Sequence, residues 1–516
     1  MKPYKDLLAE ELTNALKALY PQCEMADCGE TGEGFFCDYD ILPLTPETFE
    51  ALAKRVAASK TGCVFRLASF SGAYEDGNAK KRMLQRIYVT AFETEWELED
   101  YDAFMKEASA RDHKTLGAQL DLFSSDPEIG QGLILWHPKG AMLRYALESF
   151  GQQAHILNGY DWVCSPHIGK AGLWKTSGHL DFYRDSMYRP IVIDDEEYYL
   201  KPMNCPFHIA IYNGAIHSYR ELPVKYAEYG TVYRYELSGA LNGLTRVRGF
   251  TQDDAHIICT PEQVEKEVSD ALKFSLYILR SFGLAQFEPY ISTKPKTKSI
   301  GGDCDWEMAT DVLKKAVESA GLAYEIDEGG GAFYGPKIDL KLRDALNRQW
   351  QCSTIQFDFN LPERFRMFYV GSDGQKHTPY MVHRALFGSL ERFIALLIEH
   401  YKGDFPFWFA PVQFGIVPVR ESNNAYATHL SRALRSWGFR ASANCNEENM
   451  RGKIKKYRLE KVPYLLVVGD AEAKENTFSV RGRQEGELGK MDIAALCEYL
   501  KPQIELGVPR CILDDE

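Results

Sequence analysis

The chain has 516 residues, 45% of them hydrophobic and 26% charged, and its 60 Lys and Arg against 73 Asp and Glu give a formal net charge of −13. This is the balance of a soluble globular protein of two or three domains, each with a real core. It excludes a general positive surface for nucleic acid, so any such contact requires local basic patches.

The opening MKPYKDLLAEELTNAL is charged and amphipathic and lacks an apolar signal core. Residues 7–19 read as an amphipathic helix and 34–41 as a strand. Thr45 reads as the N-cap of a helix over 46–58, and 64–69 and 85–92 as further strands. A charged helix over 94–122 leads away, and within it stands His113, the first of 12 histidines. Residues 1–107 are expected to form a small α/β module. From 108 to 410, helices at 140–157, 261–282, 305–320 and 384–401 alternate with strand-like runs such as 188–193 and 231–235. The run 405–419 is the most apolar of the chain, but it is short and holds three prolines, so it cannot span a bilayer. Its Pro-rich start marks a boundary. From 411 to 516, strands at 412–419 and 462–468 alternate with helices at 425–438 and 491–499, the pattern of a compact α/β domain. The 12 cysteines include no CxxC pair, which fits reduced thiols in a cytoplasmic protein.

Four segments carry chemistry. TVYRYELSGALNGLTRVRGFTQDDAH, 231–256, reads as strand, polar loop, strand, with Arg234, Arg246 and Arg248 around the loop. The guanidinium fork matches phosphate oxygens bidentately. Arg234 and Glu236 fall on one side of a strand by its period of two, so one can hold a phosphate while the other accepts from an adenine amino group. A charged surface hairpin with local ion pairs has the same look. Cys205 in KPMNCPFH, His256 in TQDDAH and His383 in YMVHRALFG are proper zinc ligands, and three protein ligands leave a position open; taken singly, each is also an ordinary buried thiol or core histidine. HRALFGSLERFIALLIEHY, 383–401, reads as a buried helix containing Arg392. Its charge needs either an anionic ligand, such as a triphosphate, or a structural Glu. Finally, EGGGAFYGPK and WQCSTIQFDFNLPERF, within 328–365, pair a possible hairpin tip with a strand. That strand alternates Gln351, Ser353 and Ile355 against Cys352, Thr354 and Gln356, a polar face natural for a ligand site.

In this order, these segments resemble the bacterial-type threonyl-tRNA synthetases, class II aminoacyl-tRNA synthetases, from about Arg111 to Gly489. VCSPHI around Pro166 is similar to the family's motif 1, 234–256 to motif 2, and Gly388, Ser389 and Arg392 to motif 3. The resemblance implies an α+β fold: an antiparallel-sheet catalytic domain at 108–410, an α/β anticodon-binding domain at 411–516, and an N-terminal remnant of an editing domain at 1–107. It implies ATP-dependent ligation of L-threonine to tRNA(Thr) through a threonyl-adenylate, by a homodimer with zinc, and with magnesium accompanying ATP. Arg234 and Arg392 would be catalytic. Arg234, Glu236, Arg246, Phe250, Gln351, Thr354, Ser389 and Arg392 would bind ATP, and Met203, Gln252, Asp254, Tyr334, Lys337 and Gln356 would line the substrate pocket. Cys205, His256 and His383 would bind the metal. Adenylation needs no protein nucleophile, so fixed positive charge and positioning supply most of the catalysis. Zinc would take the amino and hydroxyl groups of threonine, which valine cannot offer. Serine lacks only a methyl, worth about 1–3 kcal/mol, and the family removes that error by editing. Here the family's HxxxH element reads LLAEELTNAL, no histidine precedes His113, and no segment resembling the family's ubiquitin-like domain is present. Residues 1–107 are therefore expected to lack deacylase activity.

The C-terminal resemblance is to the anticodon-binding domain shared with the histidyl, prolyl and glycyl enzymes. NMRGKIKKYRLEKVPYLLVVGD, 449–470, supplies a local basic patch, with Arg451, Lys453, Lys455 and Arg481 as tRNA contacts and Arg483 a further candidate; a solvated helix face is the plainer reading. Two other functions stay open: a synthetase-like regulator that binds RNA without catalysis, and an enzyme that charges a carrier protein. The intact set of arginines and zinc ligands argues against the first, and the basic patch against the second.

Overall fold

The computed structural model describes residues 2–31, 34–57, 64–75, 81–92, 94–296, 299–344 and 347–512. Two compact units divide the chain, Met1–Ser109 and Ala110–Glu516.

The first unit is a four-stranded antiparallel sheet in the order Met25–Thr31, Gly34–Tyr39, Met83–Phe92, Val64–Tyr74. The helix Lys2–Lys17 places Leu8, Leu12 and Leu16 one above another, as a spacing of four requires, and all three are buried in one core with Phe35, Leu52 and Ile87. Thr45 Oγ1 accepts from the Thr48 amide at 3.3 Å, capping the helix Pro46–Ala57. Ala58, the expected end of that helix, lies outside the described residues. The helix expected over 94–122 is two helices, Glu95–Arg111 and His113–Gln119. Asp112 between them has ψ 126°, which no helix accommodates.

The second unit is built on an eight-stranded sheet in the order Glu325–Asp327, Glu288–Ser292, Lys337–Arg343, Gln349–Asp358, Tyr380–Ala385, Gly249–Cys259, Val224–Tyr233, Asp161–Trp162. Its pairs are antiparallel except at the two edges, where Glu325–Asp327 and Asp161–Trp162 run parallel to their neighbours. The helices Val264–Ser281, Asp303–Ser319 and Leu390–Tyr401 bury their apolar stripes in the same core as Ile257, Ile355 and Val382. The helix expected over 384–401 begins only at Leu390. Arg384 and Ala385 belong to a strand, and Gly388, at φ +74°, turns the chain between the two. A Cβ there would also lie 2.5 Å from the Cys352 carbonyl oxygen, so the corner requires glycine on both counts.

The same unit ends in a five-stranded sheet ordered Ala441–Ala443, Phe414–Pro418, Tyr464–Val468, Phe478–Gly482, Gly486–Met491. Its first three strands are parallel and its last two antiparallel. Buried Phe414, Ile416, Leu430, Leu434, Leu466 and Leu496 form its core. Among the described residues, no helix is long and apolar enough to cross a membrane.

Candidate active site

Two rows of side chains cross the middle of the large sheet. In one, His256, His383, Gln356 and Lys337 are direct cross-strand neighbours; in the next, Asp254, Ala385, Thr354 and Asp339. Strand alternation puts Phe250, Gln252, Asp254 and His256 on this face and sends Thr251, Asp253, Ala255 and Ile257 to the helix side. The two rows floor a cavity of about 560 Å³. Every residue read from the sequence as ATP-, substrate- or metal-binding lines it, including Met203, Tyr334 and Ser389, which come from loops and a helix start.

At one end, the ligand atoms of Cys205, His256 and His383 lie within 4.8 Å of one another, and all three residues are buried. His256 Nε2 is 2.9 Å from His383 Nδ1. The other nitrogen of each ring is engaged outward: His256 Nδ1 is 2.7 Å from His208 Nδ1, and His383 Nε2 is 2.8 Å from Asp358 Oδ2. His208 Nε2 stands 3.2 Å from Glu228, whose other oxygen accepts from the Ser165 amide at 2.8 Å. Burial, reinforced by the neighbouring His383 and His208, holds His256 well below its ordinary pKa and therefore neutral at pH 7. Two imidazoles oriented by outer partners, beside a thiol, are the donor set of a three-ligand zinc site with an open position. The residues present fit that ion. Asp254 closes this end, its carboxylate accepting from Asn204 Nδ2 at 2.9 Å. Gly230 makes that approach possible, since a Cβ there would lie 2.3 Å from Asn204 Nδ2.

At the other end, three guanidinium groups converge. Arg234 lies over the rings of Phe250 and Tyr183, at 5.0 and 5.6 Å, and its Nε donates to Pro202 O at 3.2 Å. The strand Val224–Tyr233 stops one residue short of it, so Arg234 and Glu236 reach the cavity from the loop rather than from a strand face. Glu236 accepts from Arg246 Nε at 3.1 Å. Arg392 donates to two carbonyls, Thr245 O at 3.1 Å and Gln351 O at 3.0 Å, and burial lowers its pKa. Among the described residues no Glu pairs with it as a structural partner: the adjacent Glu391 faces away, to Arg144 at 3.1 Å and the Thr251 amide at 3.0 Å. Ser389 caps the helix by accepting from Arg392 N at 3.2 Å.

The alternation read for 351–356 needs one correction. A bulge between the pairs Leu340–Ser353 and Lys341–Gln351 shifts the register. Gln351 therefore joins Thr354 on the cavity side, donating to its Oγ1 and to Asp339 Oδ1, each at 2.6 Å. Asp339 also accepts from Thr354 at 2.9 Å and pairs with Lys337 at 2.6 Å, so it organises this wall. Sequence reasoning does not mark it, nor His208, Asp358 and Asn204. Spacing held the signal for three of them: Asp339 and Asp358 each stand two residues beyond a pocket residue on the same strand, and His208 lies three beyond Cys205 at a helix start.

Residues 188–401 match the tRNA synthetase class II core domain (G, H, P, S and T), and residues 413–503 match the anticodon binding domain. The threonine–tRNA ligase of Aquifex aeolicus is 52% identical over 485 residues, covering 94% of this chain and 74% of that protein. Among solved structures, one titled as the RNA binding domain of threonyl-tRNA synthetase from Cryptosporidium parvum superposes with a TM-score of 0.73 at 39% identity, covering 76% of this chain and 98% of the other. A putative threonyl-tRNA synthetase from Aeropyrum pernix gives 0.65 at 31% identity, covering 78% and 99%. The chain belongs to the threonine–tRNA ligase family.

The ligase's anticodon-binding part corrects two of the contacts expected from sequence. On the helix Met450–Leu459, Arg451, Lys455, Lys456 and Arg458 are exposed, but Lys453 is 4% exposed and its Nζ sits 3.5 Å from Pro418 O. Met450, Lys453, Ile454 and Tyr457 follow the helical period toward the sheet, so Lys453 packs inward and is not part of the basic face. Arg483 is spent on the backbone of the preceding segment, donating to Asp404 O and Phe405 O at 3.1 Å. Arg481 pairs with Glu487 across the hairpin.

Proposed function

We propose that this cavity binds ATP and L-threonine side by side, forms threonyl-adenylate with release of pyrophosphate, and passes the threonyl group to tRNA(Thr). One observation carries the reading: a single cavity has a buried Cys–His–His triad at one end and Arg234, Arg246 and Arg392 at the other. Magnesium accompanies ATP. Cys205, His256 and His383 would hold a zinc ion, which would supply Lewis-acid binding of the amino and hydroxyl groups of threonine. Asp254 accepts a hydrogen bond from the threonine hydroxyl, and valine leaves that carboxylate without this partner. Arg234 stabilises the charge that builds on the α-phosphate during attack by the threonine carboxylate. Arg246 and Arg392 hold the distal phosphates, Glu236 reads the adenine amino group, and Phe250 supplies an aromatic face for the base. Gln351, Thr354, Lys337, Gln356, Gln252, Met203 and Tyr334 shape the wall around the adenylate.

In this reading the catalytic domain is 108–410 and the anticodon-binding domain 411–516. The exposed face of Arg451, Lys455, Lys456 and Arg458 meets the tRNA, with Arg481 beside the anticodon. The enzyme works as a cytoplasmic homodimer through the segment around Pro166, and exposed Ile156, Leu157 and Ile168 supply apolar surface for that contact. Threonine-dependent ATP–pyrophosphate exchange, followed by aminoacylation of tRNA(Thr), tests the whole. Absence of exchange overturns the enzyme reading in favour of an RNA-binding regulator, and exchange without charging points to a carrier protein.

Two further results are expected. Asp358→Asn removes the carboxylate that holds His383, so metal affinity should fall about 10- to 100-fold; competition with a chromophoric chelator measures it, and an unchanged affinity refutes the orienting role. Residues 1–107 contain no histidine, and we assign them no deacylase activity. Ser-tRNA(Thr) incubated with the protein should decay no faster than in buffer, and enzyme-dependent hydrolysis would refute the assignment.

A further inference from the structure

His113, the first histidine of the chain, is fully buried and outside the cavity. Its ring nitrogens have two distinct partners. The Leu244 amide donates to Nε2 at 3.2 Å, and Nδ1 is 2.8 Å from Glu399 Oε1. An amide cannot accept, so Nε2 must carry the lone pair and Nδ1 the proton, which it donates to the carboxylate. Glu399 also accepts from the His113 amide at 3.3 Å. With Asp112 at 3.5 Å, this group has the composition of a metal site. Both ring nitrogens are already engaged, however, and the hydrogen bonds account for the geometry.

Leu244 lies at the tip of a turn closed by reciprocal bonds between Asn242 and Arg246, at 3.1 and 3.2 Å. The next residue, Thr245, gives its carbonyl to Arg392 Nε, and Arg246 leaves the turn for the cavity. The helix Leu390–Tyr401 thus grips this turn from both ends: Arg392 bonds Thr245 directly, and Glu399 reaches Leu244 through the imidazole. Gly243, at φ +48°, lies against the ring, and a Cβ there would stand 2.2 Å from His113 Nε2.

We propose that His113 is a positioning residue for ATP: as the Nδ1–H tautomer, it locks the 242–246 turn to the helix that bears Arg392, and so sets Arg246 and Arg392 at the spacing the triphosphate needs. This rests on the reading that the arginine end of the cavity takes the triphosphate.

Two substitutions separate the ring's two bonds. In His113→Gln the amide oxygen reaches the Nε2 position and can still accept from Leu244. In His113→Asn the short amide reaches Glu399 and leaves Leu244 without an acceptor. In threonine-dependent pyrophosphate exchange, His113→Asn should raise the KM for ATP about 10-fold, the effect of one lost buried hydrogen bond. His113→Gln keeps the acceptor for Leu244, and the backbone amide of residue 113 still ties the chain to Glu399, so it should stay within about twofold; neither variant should move the KM for threonine. A purely structural histidine predicts equal effects of Asn and Gln, or equal changes in both KM values, and either result overturns the proposal. Should His113→Asn fail to fold, Gly243→Ala displaces the ring from the loop side; it should give the same ATP-specific rise, and an unchanged KM for ATP overturns the proposal. Arg246→Ala is the control: if it also leaves the KM for ATP unchanged, the phosphate reading of the cavity has failed, whereas a rise there with a silent His113→Asn condemns the inference about His113 alone.

Discussion

Replacing Arg234 by alanine should lower the rate of threonine-dependent pyrophosphate exchange by about 10²- to 10³-fold, the range seen when one preorganised donor to a developing oxyanion is removed. The orientation of Arg234 is set by its surroundings. Pro202 O holds its Nε, and the faces of Phe250 and Tyr183 flank its guanidinium, leaving the terminal nitrogens to the cavity. A donor fixed before the reaction costs no reorganisation when charge develops, so the loss should fall on kcat more than on the KM for ATP. Arg234→Lys keeps the charge but not the planar fork and should recover only part of the rate. Steady-state exchange kinetics decide the matter. A rate within tenfold of the parent for Arg234→Ala would remove this residue from the chemical step.

The second large effect is expected at the opposite end of the cavity. Cys205→Ala should abolish stoichiometric zinc, and threonine activation should fall with it to about one per cent or less, because the remaining pair of imidazoles makes an incomplete site. Dialysis of the parent protein against a chelator should do the same, and added zinc should restore activity in the parent only. Metal content by mass spectrometry and pyrophosphate exchange are the two measurements. Full threonine activation by a metal-free protein would sink the recognition role of the triad. The thiol itself is buried, and burial pushes its pKa up. A structural cysteine replaced by alanine would alter stability without this joint loss of metal and activity.

The residues that make the cavity were legible one by one because their chemistry is unusual for their surroundings. Arginines around a polar loop, a Gln and Thr facing inward from a strand, and Cys or His in apolar segments each ask for a ligand. What joins them is not local. His256, His383, Gln356 and Lys337 become neighbours only through the pairing of four strands, and no spacing in the chain announces that row. The bulge at Gln351 shows the limit of alternation: one extra residue carried it to the face opposite the one its position implied. Lys453 is a similar case. Its charge marked it for the tRNA, but the helical period turned it toward the sheet, where a long aliphatic stem can be buried with the ammonium at a carbonyl.

By itself, then, the amino-acid sequence determined the order of elements, the family's motifs, the local basic face at 451–458 and the inventory of groups proposed to hold metal, phosphate and amino acid. These depend on side-chain type and short-range period, which are written along the chain. Tertiary structure alone decided which groups share a wall, which partners orient them, and which charges are spent on backbone carbonyls. Asp358 behind His383, Asp339 beneath Gln351 and Thr354, and His113 between Glu399 and the Leu244 amide all act across sequence-distant strands, helices and loops. A hydrogen bond is short and directional, so its partners are specified only once the backbone has brought them within about 3 Å.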